Sequence, residues 1–274
     1  MLARKLFDIC VFIILFFVFI LFIYFENNIL VVTNITLHSN KVNDNIRIVH
    51  LSDLHNKEFG KNNSELIMKV KTQKPDIIVF TGDLISRTDK DYKKMLQTLI
   101  ELHKIAGVYY IPGNHEKDFF DYHNLLNDLQ KNKIRVMINT YDTVKIKNTE
   151  LSICGLDLET ATNSAVQIML STYETSPNYK LLLSHFPEKF DSIYSKYKID
   201  LVMCGHAHGG QIILPFIGGL FAPGQGILPK YYRGLHTKNG VNMVVSRGLG
   251  HSPYIYRVFN KPEIVVIDIM KSAH

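Results

Sequence analysis

The sequence predicts an α/β protein in which a two-sheet sandwich follows one membrane-spanning helix. Three observations support this class: a long apolar run near the amino terminus, strand and helix patterns that alternate through residue 131, and a majority of strand patterns after it. Residues 29–274 are enough for one sizeable domain with its own apolar core. The three cysteines, at these spacings, indicate neither a disulfide scaffold nor a zinc ribbon.

The first predicted element is the membrane-spanning helix, an uninterrupted apolar run at residues 9–25. About 20 such residues cross a bilayer as a helix. The run is longer than the core of a signal peptide, and no small-residue cleavage pattern follows, so we expect a retained anchor at residues 1–28. Arg4 and Lys5 precede the run, which favours a cytoplasmic amino terminus. We therefore expect a single-pass protein of the cell membrane whose domain, residues 29–274, is extracytoplasmic.

The elements after the anchor alternate between strands and helices, and then become mostly strands. Ser64 is a good helix cap, and the two longer helices start acidic and end basic, as the helix dipole prefers. Helices are predicted at residues 64–72, 89–104 and 118–131, with a short one from Pro187. Strands are predicted at residues 29–37, 46–51, 143–147, 151–156, 211–214, 231–236, 241–246 and 264–270. Asn239-Gly240, between two of these strands, is a hairpin signal.

Five β-prone runs end at an Asp, His or Asn, and this pattern predicts one shared site. The runs occupy residues 46–55, 76–83, 108–115, 180–185 and 201–208. Polar residues at the carboxyl ends of strands lie where open α/β sheets bind their ligands. The candidate ligands are Asp53, His55, Asp83, Asn114, His185, His206 and His208. Carboxylate, imidazole and amide groups together suit Zn, Mn or Fe, and seven candidates exceed the needs of one tetrahedral ion, which favours two divalent ions.

The spacing of these candidates suggests how they reach the metals. Asp53 and His55 are two residues apart, as are His206 and His208, so in extended backbone both members of a pair would point to the same face. A glycine directly precedes three of the candidates, which lets the backbone turn sharply and approach the ions. These glycines are Gly82, Gly113 and Gly205.

In chain order these segments read DxH, GD, GNHE, a single His after a strand, and GHxH, and they resemble the motifs of the calcineurin-like metallophosphoesterases. That family consists of dinuclear-metal hydrolases built as a four-layer α/β/β/α sandwich, and the resemblance covers roughly residues 46–270. It implies that one metal is held by Asp53, His55 and His208, the second by Asn114, His185 and His206, and that Asp83 bridges them. His115 resembles the family's non-ligand histidine, which protonates the leaving group or stabilises the phosphoryl oxygens.

One position departs from the phosphoprotein phosphatase branch of the family. Ser86 stands where that branch has a second Asp that orients the catalytic histidine, which argues against a calcineurin-type protein phosphatase. The partner that orients His115 stays open. The Gly-rich segments at residues 209–211 and 246–250 resemble a bacterial subgroup of membrane-associated or exported phosphodiesterases. Some of that subgroup cleave nucleotide-linked lipid precursors, which makes a lipid or envelope phosphoester a candidate substrate.

The sequence therefore predicts a membrane-anchored enzyme that cleaves a phosphodiester or pyrophosphate bond by metal-activated hydroxide. The two candidate carboxylates, Asp53 and Asp83, do not neutralise two divalent ions, so the site would keep a positive charge that suits an anionic phosphoester. The net charge of the chain, +6, also favours anionic partners. The alternatives are a phosphomonoesterase, a catalytically silent metal-binding or scaffold protein of the envelope, and a mononuclear zinc hydrolase. His115 beside all seven candidates disfavours the silent protein. Without a motif that reads DNA or RNA, nucleic acid is not an expected partner.

Two segments near the carboxyl terminus carry open hypotheses. Residues 215–233 form a Gly- and Pro-rich stretch that also contains Phe, Leu and Tyr, which predicts a long loop at the rim of the site. That loop either docks an acyl chain, dips into the membrane, or packs on its own domain. His251 lies in the Gly-rich tail, where it could line the substrate pocket; the remaining histidines match no ligand position and are interpreted as structural or surface groups.

Overall fold

A computed structural model describes residues 2–250 and 256–272 of the chain, with six α-helices and four short 3-10 helices in that part, one of which is the predicted short helix from Pro187. The α-helices are α1 (Leu2–Asn28), α2 (Ser64–Thr72), α3 (Lys93–His103), α4 (Asn114–Lys117), α5 (Tyr122–Lys131) and α6 (Asn163–Tyr173). The strands up to residue 204 are β1 (Val31–Ser39), β2 (Ile46–Leu51), β3 (Ile77–Thr81), β4 (Gly107–Ile111), β5 (Arg135–Val136), β6 (Thr140–Ile146), β7 (Thr149–Gly155), β8 (Tyr179–Leu183) and β9 (Leu201–Cys204). The later strands are β10 (Ile213–Leu214), β11 (Gly218–Gly219), β12 (Phe221–Ala222), β13 (Gly226–Ile227), β14 (Gly234–Lys238), β15 (Val241–Val245) and β16 (Glu263–Lys271).

The strands form two six-stranded mixed sheets. The first has the order β1-β16-β2-β3-β4-β5, in which β2 to β5 run parallel and β16 runs antiparallel to β2. The second has the order β14-β15-β9-β8-β7-β6, in which β15, β9, β8 and β7 run parallel and the two edge strands run antiparallel. Parallel strands direct their carboxyl ends to one edge of each sheet, which is where the site forms.

The sheets pack face to face, and helices cover their outer faces. Ile48 and Val79 of the first sheet lie in one buried cluster with Leu181 and Met203 of the second. Because side chains alternate along a strand, Phe80 points to the other face and packs in the cluster that α2, α3 and α5 form over the first sheet. Helix α6 covers the second sheet in a third cluster. The predicted four-layer α/β/β/α order is confirmed.

Most predicted elements are present, with shifted boundaries. Helix α2 lies at the predicted residues, and the Asn239-Gly240 hairpin joins β14 to β15, with both turn residues at positive φ. Helix α3 begins later than predicted because the Asp89 carboxylate accepts a hydrogen bond from the Ser86 amide at 2.7 Å, which closes a turn there instead. The helix predicted at 118–131 begins at Tyr122, after a separate short helix that carries part of the site.

Helix α6 differs from the sequence prediction, because the patterns after residue 131 favour strands. It buries Val166, Leu170 and Tyr173, whose spacing of four and three residues is the helical period. The Thr162 hydroxyl caps its first turn by accepting a hydrogen bond from the Ala165 amide at 3.2 Å. This helix provides the cover that the second sheet needs on its outer face.

Helix α1 stands apart from the sandwich over most of its length. Within the described residues, one helix is long and apolar enough to cross a membrane: Arg4–Asn28, with a mean hydropathy of 3.2 and an apolar window that is not buried in the protein. A core helix of the domain would be buried, so the exposure of this helix disfavours that interpretation. Its carboxyl end differs, since Glu26 and Asn27 are buried against the domain.

Candidate metal centre

Five parallel strands deliver the candidate ligands to one edge of the sandwich. In the first sheet, β2 ends just before Asp53 and His55, β3 just before Asp83, and β4 just before Asn114 and His115. In the second sheet, β8 and β9 end just before His185 and His206. The site therefore forms between the two sheets, from residues that are far apart in sequence.

The side chains meet in two groups that share one carboxylate. The first group is Asp53, His55, Asp83 and His208, and the second is Asp83, His185 and His206. Within each group the potential ligand atoms all lie within 4.8 Å of one another, and every member is buried. The sharing of Asp83 is the arrangement expected of a bridging ligand between two adjacent ions.

The distances inside these groups are those of a metal coordination shell. His55 Nε2 lies 3.2 Å from His208 Nε2, and His185 Nε2 lies 3.1 Å from His206 Nδ1. Asp83 Oδ2 lies 3.2 Å from His185 Nε2 and 3.6 Å from His55 Nε2. Metal–nitrogen bonds of ~2.0–2.1 Å in a tetrahedron place neighbouring ligand atoms ~3.3 Å apart. The residues present thus fit divalent metal ions.

Burial keeps three of the imidazoles in the neutral form that binds metals, whereas the Asp83 carboxylate, against the effect of burial, raises the pKa of His185 to about 10. Burial lowers the pKa of His55 and of His206 to about 3, and it lowers the pKa of His208 well below its ordinary value. His185 Nδ1 lies 2.7 Å from the carbonyl oxygen of Thr81. Donation from Nδ1–H to this carbonyl directs Nε2 toward Asp83, where the raised pKa favours a proton between the two groups and a bound metal ion would take that proton's place.

Asn114 contributes an amide oxygen with an unused lone pair. Among the described residues, its buried Oδ1 has no hydrogen-bond partner, and such atoms are rare in folded proteins. Asn114 lines the same pocket as Asp83, His206 and His208. A metal ion bound at this position would satisfy the orphaned oxygen.

The prediction that the ligand pairs lie in extended backbone was wrong. Strand β2 ends at Leu51 and β9 at Cys204, so both pairs lie in the turns that follow. Five candidate ligands have left-handed φ angles: Asp53 (52°), His55 (48°), Asp83 (53°), His206 (66°) and His208 (47°). Such conformations cost about 1–3 kcal/mol each and cluster at functional sites. The turn also directs His206 and His208 into different groups.

The glycines let the backbone lie close to the side chains of candidate ligands, and their approach to the ions stays a prediction. A Cβ atom added to Gly113 would lie 2.2 Å from Asp83 Oδ1, and one added to Gly205 would lie 2.5 Å from Asp53 Oδ2. Each distance is far inside van der Waals contact. Any side chain at these positions would therefore displace a carboxylate of the site.

Glu116 is a positioning residue to which the sequence analysis assigned no role, although it belongs to the GNHE segment. Its fully buried carboxylate accepts hydrogen bonds from the amides of Asp83 at 2.9 Å, Gly113 at 2.8 Å, Ile85 at 3.3 Å and Leu84. These four donors belong to the two turns that carry Asp83 and Asn114. Glu116 thus fixes both turns relative to each other.

The structure also gives His115 a partner. The amide of Arg87 donates to His115 Nδ1 at 3.2 Å, and the amide of His115 donates to Asp83 Oδ1 at 2.9 Å. When Nδ1 accepts, the ring proton of a neutral imidazole is on Nε2. Ser86, which replaces the family's orienting Asp, instead places its hydroxyl 3.3 Å from His55 Nδ1. A backbone amide therefore orients His115.

A pocket of about 180 Å³ opens above the two groups of candidate ligands. It is lined by Asp83, Arg87, Asn114, His115, His206, His208, Gln211, Phe221 and Pro223. Behind it, Asn260 Nδ2 donates to the carbonyl oxygens of His208 at 2.8 Å and Gln211 at 3.0 Å. Gln211 and Phe221 lie in the Gly-rich segment and in the predicted rim loop, but the sequence analysis did not single out either residue, and Asn260 lies in no recognised motif. His251, considered above for this pocket, lies outside the described residues.

Comparison with known proteins agrees with this geometry. Residues 46–210 match the family model described as calcineurin-like phosphoesterase. The chain is 28% identical over 254 residues to the uncharacterized metallophosphoesterase YkuE of Bacillus subtilis, covering 90% of this chain and 87% of that protein. It is 27% identical over 229 residues to phosphodiesterase YaeI of Escherichia coli, covering 82% of each. The crystal structure of TT1561 of Thermus thermophilus aligns with a TM-score of 0.50 at 13% identity, covering 74% of this chain and 90% of that one, which supports the fold alone.

Proposed function

Because this chain belongs to the calcineurin-like phosphoesterase family, whose members hydrolyse phosphoesters with divalent metals, we propose that it cleaves a phosphodiester or pyrophosphate bond with two ions. The observation that carries this proposal is the pair of Asp/His groups that share Asp83. A mononuclear zinc site would need only three or four of these ligands. The remaining buried imidazoles would then have no role.

The proposed ligand set has two halves. Asp53, His55 and His208 would hold one ion, and Asn114, His185 and His206 the other, with Asp83 as the bridge. The grouping of the ligand atoms supports this assignment for six of the seven residues, and the orphaned oxygen of Asn114 supports the seventh. Mn, Zn and Fe all suit this mixture of nitrogen and oxygen ligands.

The chain's own residues supply the rest of the chemistry. When bound, two divalent ions provide a hydroxide nucleophile at neutral pH and offset the charge of the phosphoryl group. His115 lies at the pocket with its Nε2–H free to donate, because its Nδ1 accepts from the Arg87 amide. It would donate to the leaving-group oxygen or to a phosphoryl oxygen. Glu116 would hold the turns that carry Asp83 and Asn114 in fixed positions relative to each other during turnover.

A diester or pyrophosphate is favoured over a phosphoprotein for two reasons. Ser86 contacts His55 rather than His115, so the orienting carboxylate of the phosphoprotein phosphatase branch has no counterpart at that position. The relative YaeI is named a phosphodiesterase.

The apolar Phe221 and Pro223 at the pocket suit a substrate with an apolar part, such as a lipid-linked phosphoester. The net charge of +6 also favours an anionic partner.

The anchor is part of the same proposal. Residues 1–28 would hold the protein in the cell membrane by a single span, and residues 29–274 would form the catalytic domain. The exposed apolar surface of α1 supports a span, and Arg4 with Lys5 favours an extracytoplasmic domain. Protease added to intact cells should digest the domain, whereas complete protection of the domain would reverse the orientation.

The direct test is hydrolysis of bis-p-nitrophenyl phosphate by the purified full chain with Mn²⁺, compared with the monoester p-nitrophenyl phosphate. Asp83→Asn should abolish turnover, because it removes the shared charge between the ions. Asp142→Asn is a matched control, since Asp142 is exposed and pairs with Arg135 away from the site. A wild-type protein inactive on both substrates would support a silent metal-binding protein, and a preference for the monoester would support a phosphomonoesterase.

A further inference from the structure

The carboxyl end of α1 is bound to the loop that supports the metal centre. Asn27 Oδ1 accepts a hydrogen bond from the Arg257 amide at 2.9 Å, and Asn27 Nδ2 donates one to the Arg257 carbonyl oxygen at 3.1 Å. The Glu26 carboxylate accepts from the amide of Asn260 at 3.0 Å. Asn260 in turn donates to the carbonyl of His208 at 2.8 Å. Glu26 and Asn260 thus link the helix to a proposed metal ligand, which fixes the site relative to the helix.

The helix also lies alongside the domain for more than one turn. A groove of about 630 Å³ between them is lined by Phe19, Ile20, Ile23, Tyr24, Asn27, Asn28, Ile212, Tyr256 and Val258. The rings of Phe22 and Phe259 lie 5.3 Å apart. At 1.5 Å per residue, Phe19 lies roughly 9 Å before Phe25 along the helix axis. A bilayer core of about 30 Å needs the apolar run up to Phe25, so the domain surface beside Phe19 would lie inside the membrane boundary.

A strongly apolar loop continues from this surface. Residues 213–228, called here the apolar loop, contain no charged residue and form two short hairpins. Phe216 is fully exposed and Ile227 is 76% exposed. The other large apolar side chains exposed in the loop are Ile217, Leu220, Phe221 and Leu228. An exposed patch of this composition marks an interaction surface rather than a solvated one.

The apolar loop connects the groove to the pocket. Ile212, just before it, lines the groove, and the amide of Leu220 donates to the Ile212 carbonyl at 2.8 Å. The next residue, Phe221, lines the metal pocket. The loop thus forms a continuous apolar strip from the helix to the rim of the site.

We infer that the apolar loop is a second membrane contact, which lies in the headgroup–acyl boundary of the leaflet from which α1 emerges. The inference rests on the anchoring given under the proposed function. Interfacial segments insert about 5–10 Å, and the domain surface beside Phe19, from which the apolar loop continues, lies roughly 9 Å below Phe25 along α1. The metal pocket then opens at the membrane surface. Its substrates would be phosphoesters carried on lipids, with their phosphate at headgroup depth.

The chain has no tryptophan, so a single Trp provides a specific depth probe. Phe216→Trp and Ile227→Trp are two reporters on the apolar loop. Ile168→Trp on α6, where Ile168 is 69% exposed, is the control. The full-length protein is placed in nanodiscs, with bromine on the upper acyl carbons of the lipids. We expect both loop reporters to be quenched at least about twofold by the brominated lipids, with little quenching of the control. Loop reporters quenched no more than the control would overturn the inference.

A functional measurement separates this inference from the proposed activity. The double variant Phe216→Ser with Ile227→Ser changes no pocket residue, so hydrolysis of soluble bis-p-nitrophenyl phosphate should stay within about twofold of wild type. Its rate on phosphatidyl-p-nitrophenol in nanodiscs should fall about tenfold, because two apolar side chains no longer enter the membrane. Equal losses on both substrates would contradict the inference. A wild type inactive on both substrates would refute the proposed function, while the quenching result would still decide the loop's location.

Discussion

Replacement of Glu116 with Gln should uncouple the two turns that carry Asp83 and Asn114. The native carboxylate accepts four amide hydrogen bonds, two at each oxygen. Gln has one carbonyl oxygen, so two amide donors would face an NH₂ group and lose their acceptor. Each buried donor left unsatisfied costs about 1–3 kcal/mol. The free energy of unfolding should therefore fall by about 2–6 kcal/mol, a large share of the 5–15 kcal/mol typical of a domain.

Urea unfolding of the full chain in detergent, followed by circular dichroism, measures this loss. Glu150→Gln is the matched control, because Glu150 is exposed on β7, and it should stay within about 0.5 kcal/mol of wild type. Metal content after dialysis is a second measurement. It should fall in Glu116→Gln, because the turn that carries Asp83 is no longer fixed. If Glu116→Gln unfolded within about 0.5 kcal/mol of wild type, the proposed role of Glu116 in joining the turns would be wrong.

Three further predictions concern the site and its surroundings. His115→Ala should lower kcat about 10²- to 10⁴-fold at unchanged metal content, and full turnover would remove its assigned role. Gly113→Ala should abolish metal binding, because the new Cβ would lie 2.2 Å from Asp83 Oδ1, whereas Gly107→Ala, with its nearest contact at 3.9 Å, should bind metal normally. Burial lowers the pKa of His50 to about 3 from 6.5, so below pH 6.5 the unfolded chain takes up a proton that the native protein excludes, and stability falls as the pH falls toward 3. His50→Gln should therefore reduce the pH slope of the unfolding free energy by about 1.4 kcal/mol per pH unit, and equal slopes in metal-free urea titrations of the two proteins would contradict this.

The ligand positions could be predicted from the sequence because each follows a strand that is visible as a short apolar run. Asp53, Asp83 and His185 all come directly after such runs, and the structure places them within one site. The four-layer fold followed from the family resemblance, and it is confirmed. The backbone of the ligand pairs could not be predicted by alternation, because the strands end before them and the turns are left-handed.

Other features could not be predicted because backbone atoms form them. The partner of His115 is the amide of Arg87, and the partners of Glu116 are four further amides, so no side-chain type in the sequence marks either contact. Helix α6 was missed for a different reason. Its apolar residues do not lie on one face, since Ile168 is exposed, and the helical spacing is evident only for the buried Val166, Leu170 and Tyr173. The contact of Asn27 with Arg257 joins residues that are 230 positions apart, and no local pattern predicts it.

The number of metal ions per chain tests the central claim most directly. The full chain, loaded with Mn²⁺ and dialysed, should contain two ions by mass spectrometry, and His185→Ala should contain one with a large loss of diester hydrolysis. Asp83, shared by both ligand groups, is the physical reason for expecting two. A fully active wild-type protein with one ion per chain, or a His185→Ala variant with full metal content and full activity, would contradict the dinuclear centre.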